Sequence, residues 1–216
     1  MVLVAHITLG LVAGGQARRL GGHPKGVLEV HGRPVVAWLL DLAEGFSGVL
    51  LGANDPAPYA AFGLDAVADV TPGKGAPGGV VSLLLAAKTP WVLCVACDMP
   101  FVRRAHVEAL RARAGDDVDV VVAARLRPDG ERGAERPGPG APPAPRASGE
   151  GAPSMEPLLG LYRASLGAAW HPRLAADPSL RALVASARWT AVTLEASALD
   201  GLNTPAELAA ARRRPR

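Results

Sequence analysis

The chain has few aromatic residues (4%), only two cysteines, and no apolar run long enough to cross a bilayer. Each shortage excludes something. A spanning helix needs about 20 consecutive apolar residues, so a membrane-embedded protein is not expected. With so few rings, the core must be built from Ala, Val and Leu, and 216 residues suffice for one sizeable core in a single domain, 1–216. Cys94 and Cys97 form one C-x-x-C pair, which cannot complete a tetrahedral zinc site without a second pair or a suitably placed histidine. Three residues apart on a strand they face opposite sides, so they read as two buried thiols. The net charge of +3 is small and comes without a long basic stripe or interleaved aromatics, which argues against a nucleic-acid partner. The arginines Arg212, Arg213, Arg214 and Arg216 read as a solvated helix end. The apolar N-terminus lacks a positive leading region and runs into glycines instead of a cleavage site, so it reads as a first strand and the protein is expected in the cytoplasm.

What is present is concentrated near that end. The apolar run Ile7 to Ala13 is followed by Gly14-Gly15, Arg18-Arg19, Gly21-Gly22 and then Lys25 after a proline. Glycines let a backbone approach a ligand with its N–H groups turned inward, and cations neutralise what those groups hold. The combination describes a polyphosphate cradle. The competing reading is a strand-to-helix turn with solvated charges.

Beyond the cradle, strand and helix signals alternate. A short extended piece at 27–30 precedes a helix from Pro34 that stops at Gly45, then come strands at 48–53 and 66–68. A second glycine-rich stretch, Pro72 to Gly79, leads into an apolar helix at 80–88. The strand Trp91–Ala96 ends at Cys97-Asp98-Met99-Pro100, and a helix at 103–114 and a strand at 118–123 follow. Such alternation implies a three-layer α/β/α sandwich with a mainly parallel sheet, in which ligands sit at the carboxyl ends of the strands. The Gly14 to Lys25 loop, the Asn54 turn and the Asp98 turn all fall there. Residues 126–154 are dominated by Pro, Gly, Ala and Arg and read as a disordered surface insertion. Strands at 156–163 and 190–194 and helices at 164–170 and 179–185 come next, then Thr204 as a cap and Pro205 at the first turn of a last helix.

A carboxylate just past an apolar strand, as at Asp98, is costly unless partnered, and its natural partner is a divalent cation such as Mg²⁺ with phosphate oxygens. A turn or cap role before Pro100 is the alternative. Lys25 is placed to reach a phosphate as a point charge. Asn203 either adds an oxygen to the metal shell or caps the terminal helix. Neither the P-loop pattern nor the dinucleotide G-x-G-x-x-G pattern is met.

The run Val12-Ala13-Gly14-Gly15-Gln16-Ala17-Arg18-Arg19-Leu20-Gly21-Gly22, with Lys25-Gly26 and Gly32-Arg33-Pro34, resembles the signature of the molybdenum cofactor guanylyltransferases. Asn54, Asp69, Gly75 to Gly79, Cys97-Asp98-Met99-Pro100, Pro157-Leu158 to Tyr162-Arg163 and Asn203-Thr204-Pro205 follow in the family's order. The resemblance implies a Rossmann-like nucleotide-diphospho-sugar transferase fold and transfer of GMP from GTP to molybdopterin with release of pyrophosphate. It implies that Val12, Ala13, Gly14, Gly15, Asn54 and Asp69 bind the nucleotide. Arg19 and Lys25 would hold phosphates, and Asp98 would bind Mg²⁺, with Asn203 as a metal ligand if it is not the cap. Other proteins of molybdenum cofactor assembly are implied as partners. Two positions depart from the pattern: Pro24 stands where the family often has Asp, and Gly52 where it often has Asn. Rival readings are a related transferase using CTP or a sugar 1-phosphate, and a nucleotide-binding partner protein without turnover.

Overall fold

In the computed structural model, which describes residues 2–14, 22–125 and 154–215, the central strand is β1 (Ile7–Val12). It is buried along its whole length and paired on both sides, which is why it reads as a continuous apolar run. Its parallel neighbours are β4 (Gly48–Gly52) and β6 (Trp91–Ala96). Beyond β4 lies β5 (Asp65–Val67), also parallel. On the other side β8 (Ser154–Arg163) runs antiparallel to both β6 and β7 (Val120–Arg125), and β9 (Trp189–Leu194) closes the sheet parallel to β7. The seven-stranded order is β5-β4-β1-β6-β8-β7-β9. A hairpin of β2 (Glu29–Val30) and β3 (Arg33–Pro34) stands apart, turned by His31 and Gly32, both at positive φ, as a tight two-residue hairpin requires.

Alternation along the strands divides the interior into two cores. Ile7, Leu9, Leu11, Leu93 and Leu161 pack with α1 (Val35–Leu40), α3 (Arg104–Arg113) and α6 (Pro205–Arg213) on one face. Val92, Val122 and Tyr162 pack on the other with α2 (Gly75–Ala86), α4 (Leu166–Trp170) and α5 (Leu180–Ala185). Fully buried leucines such as Leu9 and Leu83 contribute roughly 1.5–3 kcal/mol each. Cys94 lies in one core and Cys97 in the other, both as free buried thiols whose pKa burial pushes up, as the spacing predicts. No helix among the described residues is long and apolar enough to cross a membrane.

The sandwich and its mainly parallel sheet are as expected, with three local corrections. The stretch Gly75 to Gly79 is not a loop: it forms the first turns of α2, with Pro77 inside them. A first turn tolerates proline because its N–H groups lack helical partners anyway, and burial of Val80, Val81, Leu83 and Leu84 holds the rest. The predicted helix to Gly45 is α-helical only to Leu40, and 41–43 follow as a 3₁₀ turn. β7 ends at Arg125 and β8 begins at Ser154, so Ser154 belongs to the sheet and 126–153 lie outside the described residues.

Candidate active site

The carboxyl ends of β1, β4 and β6 lie side by side, and the predicted residues hang from them. After β1 the backbone continues through Ala13, whose N–H donates to Gly52 O (2.9 Å), to the exposed Gly14. Gly15 and Arg19 lie outside the described residues. Pro24 then starts a 3₁₀ turn, Lys25–Val27, closed by Val27 N–H to Pro24 O (3.2 Å) and Leu28 N–H to Lys25 O (3.2 Å). A proline with φ −58° is pre-set for that entry, which accounts for Pro24 where the family often has Asp.

Lys25 points at the turn after β6. Its ammonium donates to Asp98 Oδ2 at 2.7 Å and to Asn203 Oδ1 at 2.5 Å. The Lys25 and Asp98 side chains are 21% and 17% exposed, so the pair is partly shielded from water. Asn203 is brought there because Leu202 N–H donates to Asp98 O (3.0 Å), tying the chain before α6 to the Asp98 turn. Next to it Thr204 and Glu207 cap α6 reciprocally, and the Glu207 carboxylate also accepts from Asn203 N–H (2.7 Å). The cap is therefore Thr204, which leaves the Asn203 side chain turned toward Asp98. Lys25, Asp98 and Asn203, up to 178 residues apart in sequence, form one cluster. In the absence of ligand the Lys25 ammonium rests directly on Asp98.

A second pair forms beyond β4. Asn54 Nδ2 donates to Asp69 Oδ2 (2.9 Å) and its Oδ1 accepts from Asp69 N–H (2.9 Å), so the amide clamps the aspartate. The following residue is anchored by Val70 N–H to Ser82 Oγ (2.9 Å), which in turn donates to Gly78 O (2.8 Å) on α2. Asp69 Oδ1 lies over the start of α2, 3.7 Å from where a Gly79 side chain would begin. Gly52, the other departure from the family pattern, leaves room for Leu83, whose Cδ1 lies 3.2 Å from where its Cβ would be.

Two supporting residues carry no sequence motif. Tyr59 is buried under the Lys25 turn, and burial pushes its phenol pKa up and keeps it neutral. A methyl at Gly26 would lie 2.8 Å from Tyr59 Cε1, closer than real side chains pack, and a tight 3.1 Å from Cys97 Cβ. Gly26→Ala must therefore shift either the buried Tyr59 ring or the turn that presents Lys25. We expect it to cost roughly 1–3 kcal/mol and to weaken nucleotide binding. Thermal melting with a nucleotide titration checks this, and wild-type values in both would show the turn to be tolerant. Glu156, on β8 at the register shift opposite Ala123, is partly buried and accepts from Leu158 N–H (3.3 Å). Desolvation raises its pKa, with the Asp98 charge adding to this, while the Leu158 N–H, Arg181 and Arg125 oppose it.

Among the described residues no group of three or more His, Cys, Asp or Glu side chains is arranged to hold a metal. The donor set at Asp98 is of another kind. Two hard oxygens, one carboxylate and one amide, converge on a single point that already holds a cationic nitrogen. That suits Mg²⁺, which takes few protein ligands and completes its shell with phosphate oxygens and water.

A mainly parallel sheet whose strand ends gather a lysine, a carboxylate and an amide beside a clamped Asn–Asp pair is the architecture of a nucleotidyltransferase domain. Residues 10–192 match the MobA-like NTP transferase domain, and the chain belongs to that family. It is 31% identical over 136 residues to the molybdenum cofactor guanylyltransferase of Cupriavidus necator, the match covering 61% of this chain and 68% of the relative. With the molybdenum cofactor guanylyltransferase of Cupriavidus taiwanensis it shares 31% identity over 126 residues, 56% of this chain and 63% of that one, just under two thirds of its length. The solved structure of molybdopterin-guanine dinucleotide biosynthesis protein A from Archaeoglobus fulgidus superposes with a TM-score of 0.66, covering 95% of this chain and 96% of that one at 18% identity. The fold is thus the expected nucleotide-diphospho-sugar transferase fold.

Proposed function

We propose that the protein transfers GMP from GTP to the terminal phosphate of molybdopterin, releasing pyrophosphate, as a cytoplasmic enzyme using Mg²⁺. The observation that carries this reading is the convergence of Lys25, Asp98 and Asn203 at the strand ends of a MobA-like domain. The backbone from Val12 through Ala13 to Gly14 meets the base edge. Asn54 holds Asp69 with its second carboxylate oxygen left for a donor on the base. The choice of GTP over CTP rests on the family match. Gly15 and Arg19, by resemblance, hold the triphosphate together with Lys25.

Chemistry of this type asks mainly for positioning and charge neutralisation. An oxygen of the acceptor phosphate attacks the α-phosphorus, the bond from that phosphorus to the bridging oxygen breaks, and pyrophosphate leaves with the electron pair. The attacking group is already anionic at neutral pH, so no general base is needed. Asp98 and Asn203 would hold Mg²⁺, which would supply positive charge to the phosphates. Lys25 leaves Asp98 for a phosphate oxygen, its flexible stem letting one ammonium serve both partners. The test is pyrophosphate release by the purified protein with molybdopterin, Mg²⁺ and either GTP or CTP. Turnover with CTP alone would overturn the nucleotide assignment, and none with either would overturn the reaction.

A further inference from the structure

A cleft of about 400 Å³ opens beside Asn203, walled by Gly201, Phe101, Glu156, Arg125, Asp200 and Arg214. Two of these are arginines fixed from behind. Arg214 lies over the Phe101 ring at 4.1 Å and donates to Ser197 O at 2.8 Å. Arg125 is the last residue of β7, held in the sheet between Ser154 of β8 and Leu194 of β9. Both face one carboxylate: Asp200 Oδ1 is 3.1 Å from Arg125 Nη2, and Oδ2 is 3.5 Å from Arg214 Nη1. Asp200 is half exposed, and ion pairs so open to water hold weakly.

We propose that Arg125 and Arg214 form the clamp for the acceptor's phosphate monoester, with Asp200 as an internal anion that the substrate displaces. This rests on the transferase reading above. A phosphate dianion carries two charges and several acceptor oxygens, which matches two guanidinium forks better than one carboxylate does. Asp200 lies three residues before Asn203, so the displaced position adjoins the cluster of Lys25, Asp98 and Asn203. Glu156 and Glu207 also line the cleft, so the two guanidinium groups carry the attraction for an anion there. Glu207 is committed to its cap, so its charge is fixed there.

The test uses opposite signs. Arg125→Gln and Arg214→Gln are each expected to raise the acceptor KM about tenfold, with the KM for GTP unchanged. Asp200→Asn, which removes the competitor and keeps the shape, is expected to lower the acceptor KM several-fold. Inorganic phosphate, titrated as an inhibitor competitive with the acceptor, is expected to follow the same order. A purely structural ion pair would make all three variants fail alike, and that result, or a parallel shift in the KM for GTP, overturns the clamp. If the wild-type protein shows no turnover with molybdopterin, the transferase reading fails. Phosphate binding by the same variants, measured by calorimetry, then decides the clamp alone: tighter in Asp200→Asn and weaker in the arginine variants, or overturned.

Discussion

Asp98→Ala is expected to reduce pyrophosphate release by a factor of about 10³ while GTP binding in the absence of metal becomes several-fold tighter. The two halves of this result come from one carboxylate. Asp98 supplies the carboxylate of the cluster, and Asn203 alone, a neutral amide, would not hold a divalent cation against water. Without metal the same carboxylate is a liability. It repels the triphosphate and occupies Lys25 at 2.7 Å, so removing it frees an ammonium for phosphate. Asp98→Asn separates charge from shape: it retains a hydrogen-bond acceptor for Lys25 but loses the anion, and should match the alanine variant in turnover. The main-chain link from Leu202 N–H to Asp98 O does not depend on the side chain, so the turn keeps its form in both. Steady-state pyrophosphate assays with calorimetric GTP titration in EDTA provide the measurement. Turnover within tenfold of wild type in both variants would remove Asp98 from the reaction.

How much of this could be read from sequence differs from part to part. Trp91–Ala96 was legible to the residue because six successive buried apolar positions between turn signals admit few other structures. The start of α6 was legible from Thr204 and Pro205, while Asn203 stood as a competing cap until the reciprocal Thr204–Glu207 cap decided between them. The first turns of α2 were not. Gly75, Pro77, Gly78 and Gly79 have poor helix propensity, and the helix exists there because the residues after them are buried against the sheet. At the site, the residue types of Lys25 and Asp98 announced their chemistry and the family resemblance pointed to Asn54 and Asp69, but neither said who touches whom. The pairs Asn54–Asp69 and Lys25–Asp98 are set by parallel strand order, which no local window contains. Tyr59 left no signal because its role is steric and its partner is a glycine. Arg125 and Asp200 were hidden for a further reason: Arg125 adjoins the Pro/Gly-rich stretch, where composition drowns any single residue, and Asp200 lies in an irregular turn.

The contact between Lys25 and Asp98 leads to a second large effect. In the free protein the ammonium stands where a divalent cation would share the same two oxygens. Metal and lysine therefore compete, and the wild-type protein should bind Mn²⁺, a spectroscopic substitute for Mg²⁺, weakly until a nucleotide draws Lys25 away. Lys25→Met keeps the length and apolar stem of the side chain but removes the charge. The variant leaves Asp98 partly buried without its partner, a loss of roughly 1–3 kcal/mol in stability. It should regain that stability when the vacated position is filled: saturation at 100 times the dissociation constant restores about 2.7 kcal/mol. The expected result is a melting temperature that rises by several degrees with Mn²⁺ in Lys25→Met and hardly moves in wild type, with a matching loss of free Mn²⁺ signal in electron paramagnetic resonance. In the wild type the same signal loss should require GTP. Turnover should nevertheless fall by about 10²–10³, because the phosphate contact made by Lys25 after it leaves Asp98 has no replacement. Equal Mn²⁺ binding by both proteins without nucleotide would mean that Lys25 does not guard the metal position, and the exchange between its two partners would have to be abandoned.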